Sequence, residues 1–60
     1  MNVNEIYDYA RRLLDAHGDK AEWEAAQKAA EWDQQGDNGQ ARDWRRIQAA
    51  IKEMRGPHES

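Results

Sequence analysis

The chain has no cysteine, no threonine and no phenylalanine, a single proline at position 57, and a single serine at position 60. Without cysteine it can form neither a disulfide nor a thiolate metal site. Without threonine, and with serine only at the last position, a hydroxyl or thiol nucleophile has nowhere to sit. No stretch approaches the roughly 20 apolar residues needed to cross a bilayer, so no membrane partner is expected. The opening Met1-Asn2-Val3-Asn4-Glu5 has neither a basic region nor an apolar run, unlike a secretory signal. These absences lead to the expectation of a soluble cytoplasmic protein. Phosphate-cradling glycine loops are also missing, because the four glycines sit where helices end or turn. Nucleotide-dependent and covalent catalysis are therefore not expected, and no cofactor is implied.

What is present is helix punctuation. Asn2 precedes Glu5 by three residues, Asp19 precedes Glu22, and Asp37 precedes Gln40. A side-chain oxygen at each first position can accept from a free backbone N–H, and the Glu or Gln can reach back. Gly18, Gly36 and Gly56 follow the three runs, and Pro57 bars continuation. Three helices follow, at about 3–17, 20–35 and 38–55. The connections Gly18-Asp19 and Gly36-Asp37-Asn38-Gly39 are too short for anything but reversal or steep crossing. The spacing predicts an all-α, antiparallel three-helix bundle over residues 1–56, with the second helix between the others and a disordered tail at 57–60. Asn38-Gly39 leaves two starts open for the third helix, at Asp37 or after Gly39.

The faces follow from an advance of about 100° per residue. In the first helix Val3, Ile6, Tyr7, Ala10, Leu13, Leu14 and His17 share one arc, with Tyr9 half exposed beside it. Asp8 with Arg12, and Arg11 with Asp15, are four apart and can pair. In the second helix Ala25, Ala26, Ala29 and Ala30 form a smooth ridge, with Trp23 and Trp32 on its edges. Alanine buries little surface, so the tryptophans are expected to supply most of this helix's packing. The third helix carries Trp44, Ile47, Ile51 and Met54 as a core stripe, flanked by Ala41 and Ala50. Trp44 is expected in the core, and Asp43 to pair with Arg46 or another neighbour on its own helix.

The net charge of −3 is unevenly spread. The second helix is acidic and the third basic, which predicts mutual attraction inside the bundle. It also disfavours nonspecific attachment to nucleic acid or anionic lipid.

Through its Ala41-Arg42-Asp43-Trp44-Arg45-Arg46-Ile47 run, continued by Ala50-Ile51 and Met54, the chain resembles a group of short bacterial all-helical proteins of unassigned function. The His17-Gly18-Asp19 turn and the repeated Gly36-Asp37 step look like the same group. The resemblance implies a small helical fold and supplies neither an activity nor a functional residue.

Candidate sites are few. His17 is the one residue that invites a catalytic or metal-binding role, with Asp19 or a carboxylate of the second helix; its plainer role is to meet the negative end of its own helix. His58 lies far away in the tail. Glu24, Glu31 and Asp33 are spread around their helix, without the spacing of a calcium loop, and are expected as a solvated face. No catalytic residue and no metal ligand is assigned.

Arg42, Arg45, Arg46 and Lys52 form a basic side on the third helix, fit for an acidic partner or for phosphates. Only Gln48, at its edge, has an amide that can read a base. Trp23 and Trp32, as edge residues, are candidate contact anchors. The expectation is a non-enzymatic protein–protein interaction module, whose partner is another protein or a second copy. The alternative is a small nucleic-acid-binding regulator that uses the basic side.

Overall fold

The structure is a computed structural model that describes residues 1–56. The expected tail at 57–60 lies outside the described residues. Three helices run in order: α1 Val3–His17, α2 Lys20–Gln34 and α3 Asn38–Arg55. They pack as the expected all-α three-helix bundle, with helix bounds within one residue of those legible in the sequence.

Local chemistry explains each end. Asn2 forms a full capping box: its Oδ1 accepts from the Glu5 N–H at 2.8 Å, and Glu5 Oε1 accepts from the Asn2 N–H at 3.2 Å. Asp37 caps α3 by accepting from the Gln40 N–H at 3.1 Å. That bond settles the start of α3 and places Gly39 within its first turn. Gly36 ends α2 at φ +81°, a left-handed conformation that a Cβ would disfavour. Its N–H donates to the Asp33 carbonyl, and the Asp37 N–H donates to the Trp32 carbonyl, closing the last turn in a Schellman motif.

The expected cap at Asp19 does not form. Its backbone is already helical, at φ −61° and ψ −21°, and its side chain makes no capping bond. A cap needs an extended backbone to aim the side chain back at the first turn. Here the Gly18 carbonyl accepts from the Ala21 N–H instead. Glu22, the expected reciprocal partner, reaches Arg55 on α3.

The central helix is α3, not α2 as expected. It packs against both neighbours, most extensively against α2, whereas α1 and α2 meet only slightly. The largest fully buried side chains, Ile47 and Ile51, both belong to α3. An alanine face is too shallow to separate and satisfy two neighbours, while branched residues on α3 fill the space between α1 and α2. Ile6, Ala10, Ala21, Ala25, Ile47, Ala50 and Ile51 form the core, with Leu13, Leu14, Trp44 and Met54 packed against it as partly buried residues. Ala29 and Ala41 are buried where α2 ends and α3 begins.

The buried arc of α1 is narrower than the sequence suggests. Val3, Tyr7 and His17 are exposed: α1 packs chiefly against α3 and little against α2, so the outer parts of its apolar arc stay uncovered. Trp44 is half-buried rather than enclosed, with Tyr9 against it edge-on at 5.5 Å between ring centroids.

Candidate interaction surface

Trp23 is 61% exposed, and this corrects the expectation that it supplies packing for α2. Ala21, Ala25 and Ala29, spaced by four, turn toward the core, and Trp23 falls outside that arc. Trp32 is half-buried. The two tryptophans therefore divide, one half-buried and one in solvent.

Trp23, Ala26 and Ala30 follow one another at spacings of three and four along the outer side of α2. Arg45, Gln48, Lys52 and Arg55 do the same along α3. Between the two lines runs a shallow groove. One end is walled by Ala26, Ala30, Asp33, Arg45 and Gln48. The other end is walled by Asp19, Glu22, Trp23 and Arg55, with Ala26 and Gln48 shared by both.

An ion pair stands at each end of the groove. Arg45 Nη2 lies 3.2 Å from Asp33 Oδ2, and Arg55 Nη1 lies 2.9 Å from Glu22 Oε1. Both carboxylates come from α2 and both guanidiniums from α3, as the opposite charge of the two helices implied. The Arg55 pair was not singled out in the sequence, because its partner is 33 residues away. Exposed pairs of this kind contribute little stability in water, roughly 0–1 kcal/mol each. Their value lies in fixing which sign of charge lines each side of the groove.

The basic side of α3 is split. Arg45 is held by Asp33, whereas Arg42, Arg46 and Lys52 are exposed and make no ion pair among the described residues. Arg42 and Arg46 border a shallow depression with Asp37, Gln40 and Asp43. Asp43 does not pair with Arg46 as expected; its Oδ2 lies 3.7 Å from the Met1 amino group, which the α1 N-terminus brings over α3. The Asp8–Arg12 pair forms at 3.2 Å, while no Arg11–Asp15 pair occurs among the described residues.

Other polar groups are tied across helices. The Tyr7 hydroxyl donates to Glu53 Oε1, and that hydrogen bond to a carboxylate, followed by the repulsion of its charge, raises the Tyr7 pKa above the usual phenol value. This contact went unnoticed in the sequence because Tyr7 reads as a core residue there. His17 Nδ1 lies 3.2 Å from Glu24 Oε2, joining the end of α1 to α2 in an exposed contact. No group of three metal-ligating side chains occurs among the described residues, and no described helix is long and apolar enough to cross a membrane. No protein-family model, curated protein or solved structure matches the chain.

Proposed function

We propose that the chain is a non-enzymatic protein-interaction module whose binding face is the α2–α3 groove with Trp23 at its edge. The observation that carries this reading is the exposure of Trp23. An exposed indole in a chain with only three tryptophans leaves a large apolar area uncovered, and tryptophan is the residue type most concentrated in binding hot spots. The groove beside it is floored by alanines and bordered by charge of both signs, the anatomy of an apolar centre within a polar rim. Trp32, half-buried, serves as support rather than as an anchor.

The reading is tested by affinity capture from the source cell with immobilised wild-type chain and Trp23→Ala. A partner retained by the first and lost with the second is expected, with unchanged circular dichroism. Identical capture by both would contradict the proposed face.

A second reading, nucleic-acid binding, is favoured by Arg42, Arg46 and Lys52, which have no carboxylate partner among the described residues. Against it stands the net charge of −3. Its test is a salt titration with duplex DNA. Binding that weakens steeply with salt and with Arg46→Ala supports it, and no binding at low salt ends it.

A further inference from the structure

We infer that the α2–α3 face docks a second copy of this chain, each α2 lying over the other copy's α3, about a two-fold axis parallel to the helices. The inference rests on the interaction-module reading and names its partner.

The argument begins with symmetry. A two-fold interface presents the same patch from both copies, so the patch must complement itself. The α2–α3 face does so in charge. Glu22 and Asp33 line its α2 side, and Arg55 and Arg45 line its α3 side, one pair at each end. Two such faces can meet about two different axes. An axis perpendicular to the helices lays α2 over α2 in opposite directions. The Asp33 end of one copy then faces the Glu22 end of the other, and Arg45 faces Arg55, so like charges meet at both ends. An axis parallel to the helices lays α2 over α3 and keeps each end at its own level. Asp33 then meets the second copy's Arg45, and Glu22 meets its Arg55. Each end becomes a square of four alternating charges. Like charges set against each other are strongly unfavourable in an interface, so charge selects the parallel axis.

Shape agrees with that choice. The alanine floor at Ala26 and Ala30 has no bulk to hold two faces apart. Trp23 stands at the level of the Glu22–Arg55 pair and so lies against Lys52 and Arg55 of the second copy. Lys52 has no ion pair among the described residues, and an ammonium over an indole face is a favourable contact once water leaves. The charges set the geometry and the indole supplies the affinity, because buried ion pairs alone scarcely repay their desolvation.

Size favours a second copy as well. The chain exposes 4339 Å², and a standard interface covers about 800 Å² on each partner, less than a fifth of that surface. A bundle this small with an alanine-rich core is marginal alone and gains stability by association.

The test is sedimentation of the full chain over a concentration series, followed by a mixing experiment. A monomer–dimer equilibrium is expected, weakened at least about 10-fold by Trp23→Ala. For the mixing, a charge-swapped chain carries Glu22→Arg, Asp33→Arg, Arg45→Asp and Arg55→Glu, which preserves each internal pair with its sign reversed. Wild type and swapped chain should each dimerise alone, and native mass spectrometry of the mixture should show the two homodimers without the mixed species. Should the four-fold swap fail to fold, Asp33→Arg with Arg45→Asp asks the same question at one end. Mixed dimers at statistical or greater abundance would overturn the α2-over-α3 geometry. A strict monomer at the highest soluble concentration would overturn self-docking altogether. A strict monomer that still captures another protein through Trp23 would remove self-docking alone and leave the interaction-module reading standing.

Discussion

The Tyr7 hydroxyl of α1 donates a hydrogen bond to the Glu53 carboxylate of α3, joining positions 46 residues apart. The bond favours the neutral phenol, since a phenolate there would face a carboxylate without a proton between them. The folded pKa is raised, so the contribution to stability is fully present below the unfolded phenol value of about 10 and is lost as pH rises through the folded value. In a Tyr9→Phe background, where Tyr7 is the sole tyrosine, ultraviolet titration should show Tyr7 ionising at lower pH once Glu53→Gln is introduced. An unchanged titration would mean that the contact does not hold in solution.

Removing a large buried side chain should be severe, and removing the exposed indole should not. Ile51→Ala is expected to cost about 2–5 kcal/mol, comparable with the whole stability of a domain this small. Trp23→Ala at a concentration where the chain is monomeric should stay within about 0.5 kcal/mol of wild type. Urea denaturation followed by circular dichroism measures both, and equal losses would contradict the placement of Trp23.

The caps should rank by their hydrogen bonds rather than by residue type. Asp37→Ala removes an accepted N–H bond and should cost roughly 1 kcal/mol, within the usual cap range of about 0.5–2. Asp19→Ala removes no cap bond and should cost clearly less, leaving only the attraction of a carboxylate to a helix N-terminus. Thermal melts of the two variants order them, and the reverse order would contradict the cap assignments.

Ala25 is fully buried where α2 packs into the core beside α3. Ala25→Leu should therefore destabilise by about 1–3 kcal/mol through overpacking, despite the better hydrophobic transfer of leucine. Ala30→Leu, on the exposed groove side, should be nearly neutral in the monomer. Denaturation of the two variants side by side checks the direction in which α2 faces.

Helix limits were legible because they are local. Asn2, Asp37, Gly18 and Gly36 act on neighbours within five residues, and their residue types announce what they do. Which helix sits in the middle was not legible, because the periodicity of each helix gives the direction of its apolar side but not how far a neighbour extends over it. Val3 and Tyr7 belong to the apolar arc of α1 by spacing, yet they border an open depression beside Arg46, Ala49 and Glu53 of α3 and remain exposed. Asp19 shows the limit of the cap pattern: residue types at the right spacing form no bond when the backbone is already helical. In the candidate surface, the opposite charges of α2 and α3 were visible in composition. The pairing of Glu22 with Arg55 and Asp33 with Arg45, and the outward turn of Trp23, required the register between the two helices.

The central claim is that the bundle leaves Trp23 uncovered and that another molecule covers it. The most direct measurement is iodide quenching of a chain whose sole indole is Trp23, made by Trp32→Phe and Trp44→Phe. At high dilution the emission should be red-shifted and freely quenched, becoming blue-shifted and protected as the chain is concentrated into dimers. A protected, blue-shifted indole at the lowest concentration would contradict the account, because Trp23 would then already lie inside its own bundle.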